Sequence, residues 1–413
     1  MVFALLKYGL RGRHVPFGDI PPTPELKPSY DVVIVGGGGH GLAAAFYLST
    51  VHGITNVAVL EKGYLAGGNT ARNTTTIRSN YLTTESIRFY KEGVELFETM
   101  SDDLGFNVMF SQRGQLTLAH SDAALRSFHL RAEMGKHMGT RIEVVDAKTV
   151  HELCPHLNLD LGGPNEVLGG LWHEDGGTAR HDAMAWGYAK RAAERGVEIH
   201  QRTEVMGFRK EGDRVTHVVT DRGTIAAGQV LQAVGGFNGQ VAALAGIRLP
   251  IRCFPLQAMV TQPLKPFLDT LVSSPHLHVY LVQSSRGEIV IGGGSDPYQL
   301  ASTRSTLDQK ERLAEDALHL FPFLHKVKLL RQWAGVTDMT PDYSPIMGAS
   351  PLRNYWLDCG WNTAGFKATP VAGKRMAETI ATGRVPDILH PFDLRRFDNF
   401  ALLNEMGATA ASH

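Results

Sequence analysis

Cysteine is scarce in this chain. Cys154, Cys253 and Cys359 are the only ones in 413 residues, too few and too scattered for a disulfide framework or a thiolate cluster. No zinc-like ligand spacing emerges, so no metal site is expected here. An excess of either charge is missing too, because 41 basic residues balance 41 acidic ones. That balance argues against a broad nucleic-acid-binding surface. No uninterrupted apolar segment reaches the length of a membrane span. Residues 1–10 are apolar, but Arg11, Arg13 and a proline-rich stretch follow without a cleavage signal. The expectation is a cytoplasmic protein that partners neither nucleic acid nor membrane. No internal repeat or low-complexity stretch competes with a two-domain division, and 413 residues suffice for it.

Glycine is what the chain has in quantity, 44 residues, and its most informative cluster lies near the start. In Asp31-Val-Val-Ile-Val-Gly-Gly-Gly-Gly-His-Gly41 an apolar strand runs into Gly36-x-Gly38-x-x-Gly41, where a helical pattern begins. Strand, turn and helix of this kind hold a dinucleotide pyrophosphate. Gly36 permits the tight turn, Gly38 the close approach of backbone to phosphate, and Gly41 the packing of helix on strand. Free N–H groups at the helix start then face the phosphates. Asn56-Val-Ala-Val-Leu60 reads as the next parallel strand, with Glu61 at its end as a ribose acceptor.

Periodicity divides the rest. Residues 1–29 form an arm made extended by Pro21, Pro22, Pro24 and Pro28, with Tyr8 and Phe17 available to dock. Segments 30–105, 165–245 and 335–400 build a discontinuous nucleotide domain. Segments 106–164 and 246–334 build a second α+β domain on a mostly antiparallel sheet, and 401–413 form a tail. Helices are expected from Thr84, over Ala123–His137 behind a Ser121 or Asp122 cap, over Asp182–Arg195, and near Leu307–Leu320. Thr369-Pro370 reads as cap and first residue of a last helix that Gly383 ends.

Two late stretches carry a family resemblance: Trp333-Ala-Gly-Val-Thr-Asp-Met-Thr-Pro-Asp-Tyr-Ser-Pro-Ile-Met-Gly348 and Leu357-Asp-Cys-Gly-Trp-Asn-Thr-Ala-Gly-Phe-Lys367. With the first loop and Glu61, they resemble the glycine/D-amino-acid oxidase family of FAD enzymes over nearly the whole chain after residue 30. The resemblance implies a glutathione-reductase-like α/β FAD domain, noncovalent FAD, and a second domain covering the flavin's substrate face. It places cofactor contacts at Gly36, Gly38, Gly41, Glu61, Lys62, Asn69 and Thr70. Later ones fall at Val205, Gly235, Gly360, Gly365, Phe366 and Lys367.

A narrower likeness lies in Gly67-Gly-Asn-Thr-Ala-Arg-Asn-Thr-Thr-Thr-Ile-Arg-Ser-Asn-Tyr81 and Gly176-Gly-Thr-Ala-Arg-His-Asp-Ala-Met-Ala-Trp-Gly187. These resemble the beta-subunit family of heterotetrameric sarcosine oxidases. In that family a histidine of the second segment is joined to FMN, which here lands on His181, with nearby His173 kept open. Bond formation needs a neutral imidazole, and Asp182 as N-cap would set His181 at the positive end of a helix. The resemblance further implies alpha, gamma and delta partner subunits, which hold NAD and zinc and handle tetrahydrofolate.

The implied reaction is oxidation of sarcosine by oxygen, with Arg78 and Lys367 clamping the carboxylate and Arg72 as a weaker candidate. Single-chain relatives carry a lysine and a histidine over the flavin, in a strand matching Glu288-Ile-Val-Ile-Gly-Gly-Gly294. Val290 and a glycine stand there instead, which fits electron transfer onward to FMN. Two alternatives stay open: a single-flavin D-amino-acid or imino-acid dehydrogenase, and a non-catalytic flavin-bearing structural subunit.

Overall fold

A computed structural model describes residues 24–408. The first sheet has the order Ile346–Ala349, Tyr355–Cys359, Gly223–Gln232, Ser29–Val35, Val57–Glu61, Glu198–Gln201, with the hairpin Val205–Glu211 and Arg214–Thr220 branching from Gly223–Gln232. Ser29–Val35 is parallel to both neighbours, with Val35 level with Leu60 on one side and Gln232 on the other. The carboxyl ends of three strands therefore open together at Gly36, Glu61 and Ala233. A crevice at such an end, between strands whose connections leave in different directions, is where α/β sheets bind ligands. Val33 and Ile34 are fully buried on opposite faces, because this sheet is packed on both sides.

The helices Gly39–Thr50, His181–Glu194 and Gly365–Thr382 cover one face. Their crossing is close because Gly373 lies against Ala43, where a methyl group would sit 2.4 Å from the Ala43 side chain. Thr83 and Ser121 cap the helices Thr84–Leu104 and Asp122–His137 by accepting from Ser86 N–H and Ala124 N–H.

The second sheet runs Leu329–Met339, Arg252–Thr261, Ile289–Ser295, Val279–Gln283, Leu271–Ser274, Gln115–Ala119, Gly169–His173, Ile142–Asp146. All its pairs are antiparallel except that of Leu271–Ser274 with Gln115–Ala119. Two expected borders move. Gly169–His173 belongs to this sheet, not to a first-sheet segment starting at 165. Leu329–Met339 stays in it beyond 335. Gly169 resembles a turn residue in sequence, but a Cβ there would lie 2.5 Å from the Val145 carbonyl oxygen, so the strand needs glycine.

Two terminal expectations also change. Ser29 already belongs to the first strand, while Tyr8, Phe17 and the rest of residues 1–23 lie outside the described residues. The segment after 400 is held in place, since Leu403 N–H donates to Asp342 and Glu405 accepts from Leu82 N–H and Thr83 N–H at 2.9 Å each. Among the described residues, no helix is long and apolar enough to cross a membrane.

Candidate functional site

Between the two sheets lies a cavity of about 580 Å³. The residues singled out from sequence that line it are Gly36, Gly38, Glu61, Lys62, Asn69, Thr70, Arg72, Arg78, Val205, Gly235, Gly365, Phe366 and Lys367. Gly41, Gly360 and His181 stand outside the lining.

The first loop explains part of that division. Gly36 has φ +113°, and a Cβ there would meet the Ala233 carbonyl oxygen at 2.2 Å. A Cβ at Gly41 would meet the Gly36 oxygen at 2.1 Å, so Gly41 serves loop–helix packing rather than the cavity wall. Gly38 caps the helix without a side-chain hydrogen bond. Two amides expected to be free already have partners: Gly37 N–H donates to Glu61 Oε2 and Gly39 N–H to Thr70 Oγ1, both at 2.9 Å. Glu61 Oε1 accepts from Gly63 N–H at 2.8 Å. The carboxylate is thus fixed by backbone while each oxygen keeps a lone pair for a sugar hydroxyl. Lys62 Nζ lies 3.5 Å from the centre of the Phe237 ring, a cation–π contact on the same wall.

Asn69 reaches across to the second sheet, where its Oδ1 accepts from Val336 N–H at 3.0 Å and its Nδ2 donates to the Val336 oxygen at 2.5 Å. It joins the two layers at the cavity rim. Trp333 Nε1–H donates to the Arg72 oxygen at 2.7 Å beside it. The Arg72 guanidinium donates to the Gly67 and Gly68 carbonyls of its own loop, which weakens it as a carboxylate ligand.

The last helix begins at Gly365, not at Pro370. Proline sits inside it, and Ala364 caps it without a side-chain hydrogen bond. Sequence signals favour proline at the first position, but here Asn362 at φ +51° and the Trp361 turn set the start earlier. The open first turn, Gly365 to Lys367, therefore faces the cavity with its N–H ends, a favourable field for electron-rich groups. Gly360 supports this turn from behind. Its N–H donates to Asp338 Oδ2 at 2.7 Å, while Trp361 N–H donates to Oδ1 at 3.1 Å. Burial pushes the Asp338 carboxyl up to about 6 in spite of these donors.

His40 stands inside the glycine loop and was not singled out in sequence. Its Nδ1 lies 3.0 Å from Asp358 Oδ1 and its Nε2 lies 2.7 Å from the Gly365 oxygen. A carboxylate and a carbonyl cannot donate, so both ring nitrogens carry protons and His40 is an imidazolium. Burial opposes the charge, yet Asp358 overrides it and raises the pKa overall.

The cavity is also lined by buried basic side chains. Arg78 is 8% exposed, donates to Asn80 Oδ1 at 2.9 Å, and has its Cζ 4.4 Å from the centre of the Tyr81 ring. Lys367 is 6% exposed and donates to the Thr363 oxygen at 3.2 Å. Burial first, then the Arg78 charge, hold its pKa well below the usual lysine range. The two candidates for the clamp are therefore electrostatically coupled in one cavity. From the second layer come Tyr280, whose hydroxyl lies 2.9 Å from Thr74 Oγ1, and Arg131, a residue that no spacing singled out. Residues 288–294 do not line the cavity. Gly292 instead makes room for the Tyr280 ring, since a Cβ there would lie 2.4 Å from its hydroxyl oxygen.

His181 is the first residue of the helix His181–Glu194, with Arg180 as N-cap, so the expected Asp182 cap is not formed. Asp182 instead pairs with Arg180, at 2.8 Å from Nε to Oδ1. His181 Nδ1 is buried without a hydrogen-bond partner. Burial lowers its pKa, with Arg180 acting in the same direction and Asp182 against it. His173 is fully buried in the second sheet, its Nε2 3.2 Å from Ser79 N–H and its Nδ1 3.3 Å from the Arg141 oxygen. Burial takes its pKa down to about 4. Among the described residues, no group of three or more His, Cys, Asp or Glu is placed to hold a metal ion.

The model of the family described as DAO, FAD dependent oxidoreductase, matches residues 31–379. Sarcosine oxidase subunit beta of Arthrobacter sp is 46% identical over 391 residues, covering 95% of this chain and 96% of that protein. Sarcosine oxidase subunit beta of Rhodobacter capsulatus is 44% identical over 413 residues, covering 100% of this chain and 99% of that protein. Among solved structures, L-proline dehydrogenase from P. horikoshii matches with a TM-score of 0.85 at 29% identity, over 91% of this chain and 100% of that one.

Proposed function

This chain belongs to the FAD-dependent oxidoreductase family, and within it to the sarcosine oxidase beta subunits, and from that premise we propose that it carries the amine-oxidising site of a sarcosine oxidase. The overall reaction is sarcosine plus oxygen and water giving glycine, formaldehyde and hydrogen peroxide. In the presence of tetrahydrofolate, handled by a partner subunit, the one-carbon unit leaves as a folate adduct instead.

The residues present fit a dinucleotide: Glu61 is fixed with lone pairs to offer, and the helix starts at Gly39 and Gly365, whose cap residues give no side-chain hydrogen bond, face one cavity. Bound FAD supplies a two-electron acceptor, and FMN joined to His181 supplies the route of those electrons to oxygen. Arg78 and Lys367 hold the substrate carboxylate. A carboxylate placed between them offsets their repulsion and favours the charged form of Lys367, which burial and Arg78 disfavour. The same cations disfavour a protonated substrate amine, so the site selects the neutral form whose lone pair is needed as hydride leaves. No side chain is assigned as base.

The observation that carries this reading is the convergence of Arg78 and Lys367, both buried, on one cavity with the glycine loop. Arg78→Ala is expected to raise the KM for sarcosine about 100-fold or more, as loss of a buried charged contact does. An unchanged KM would remove Arg78 from the clamp.

For the second flavin, a neutral ring with an unpartnered nitrogen supports His181, whereas both nitrogens of His173 are engaged and buried. Acid-precipitated protein should stay yellow, and His181→Ser should not. Release of all colour from the unaltered chain would contradict the attachment. The same reading assembles the chain with alpha, gamma and delta subunits, the holders of NAD and zinc. It also places the complex in the cytoplasm, where three free thiols are at home.

A second reading, a single-flavin imino-acid dehydrogenase, is favoured by the likeness to the proline dehydrogenase. Absence of covalent flavin together with oxidation of cyclic imino acids would decide for it.

A further inference from the structure

The cavity holds more positive charge than the Arg78 and Lys367 clamp accounts for. Arg131, on the helix Asp122–His137, is 7% exposed and lines the same cavity from the second layer. It donates through Nη2 to the Asn80 carbonyl, which also receives Arg78 Nη1. Two guanidinium groups therefore converge on one residue. Arg131 Nε is buried with no hydrogen-bond partner. Burial lowers its pKa to about 9, with the Arg78 charge adding to the effect and Glu405 opposing it.

Glu405 does not form a hydrogen bond to Arg131. Its oxygens accept from Leu82 N–H, Thr83 N–H and the Thr83 hydroxyl. A second buried orphan lines the cavity as well: Gln115 Oε1, on the strand Gln115–Ala119. Its backbone is in register with His173, the residue that accepts from Ser79. A buried donor without a partner is what a carboxylate completes, while the Gln115 oxygen can accept only from a ligand N–H.

We propose that Arg131 is a further substrate-binding residue, which with Arg78 forms a two-guanidinium subsite for the carboxylate of a small amino acid. This rests on the reading of the cavity as an amine-oxidising site, and it extends that reading. Arg78 and Lys367 approach from the FAD-binding layer, and Arg131 closes the subsite from the second layer. Its Nε–H supplies a directional contact, and its charge offsets the carboxylate. The ligand class is a small amino-acid monocarboxylate.

The test is ligand titration of the purified, flavin-loaded complex, followed by the flavin absorbance. Methoxyacetate, which has oxygen in place of the amine nitrogen and cannot be oxidised in the same way, reports the carboxylate subsite. Sarcosinamide, which lacks the negative charge, reports the rest of the site through anaerobic flavin reduction. Arg131→Met should raise the Kd of methoxyacetate about 30-fold or more, and leave the half-saturating sarcosinamide concentration within about threefold. Arg131→Lys should fall between the two, because it keeps charge but loses the fork.

Unchanged methoxyacetate binding by Arg131→Met at normal flavin content would overturn the proposal. Equal weakening of both ligands would also overturn it, since that marks a purely structural role. If Arg131→Met does not load flavin, Arg131→Lys decides: at least threefold weaker methoxyacetate binding supports the subsite, and unchanged binding overturns it. Arg78→Met separates the two levels. If it too leaves methoxyacetate untouched, the amine-oxidising reading fails; if it weakens binding and Arg131→Met does not, only this inference fails.

Discussion

His40 shows how one residue can join distant segments of sequence. It lies between Gly39 and Gly41 of the first loop, yet its ring is held by Asp358 and by the carbonyl of Gly365, more than 300 positions away. The pair fixes the first glycine loop against the start of the last helix, the two backbone segments that face the cavity. Its folded-state pKa is raised, so its contribution to stability is complete below the ordinary histidine value and is lost as pH rises through the folded value. Asp358 and Asp338 are the acids that act on the ring. The thermal midpoint of the unaltered chain should therefore decline as pH rises above the ordinary histidine value, and His40→Asn should flatten that part of the profile. An identical slope in the variant would show that the imidazolium is not responsible.

At the scale of elements, much of the fold was legible because local chemistry agreed with the final structure. The Ser121 cap, the Gly383 stop and the apolar strand before Gly36 each act within a few residues. The strand Gly169–His173 was not legible, because glycines that permit close strand contact look the same in sequence as glycines that turn a chain. The same ambiguity misplaced the start of the last helix, where Pro370 signals an N-terminus that the Asn362 turn sets earlier. The Asp182 cap failed because Arg180 captured the carboxylate.

Gly373 provides an element-scale prediction. Alanine there would gain about 1 kcal/mol of helix propensity. Its methyl group would also lie 2.4 Å from the Ala43 side chain and 2.7 Å from the Ala43 backbone carbon. Overpacking of that kind costs about 1–3 kcal/mol, so the clash should win. Gly373→Ala should lower the thermal midpoint; a rise would mean the helices separate at little cost.

Across the whole molecule, the site exists only because two layers close on each other. The glycine loop, Glu61 and the late helix belong to one sheet's side, and their place at the cavity was legible from spacing and resemblance. The second layer's contribution was not. Arg131 lies on a helix face with no motif, and Tyr280 is placed by a glycine that serves its ring. Asn69 fastens the layers by bonding both the N–H and the carbonyl of Val336. Asn69→Ala would leave both without that partner, a loss of about 1–3 kcal/mol. It should also release FAD at lower denaturant than the unaltered chain, as measured by flavin fluorescence. Coincident release curves would show that the layers are held together without this clasp.

The central claim, a chain that oxidises sarcosine at FAD and passes the electrons to a second flavin on His181, is tested most directly by a flavin inventory of the purified complex under anaerobic sarcosine. Acid precipitation should leave one flavin on each chain and release another, and sarcosine should bleach the bound colour before denaturation. A complex with a single extractable flavin, or one whose colour does not respond to sarcosine, would contradict the account.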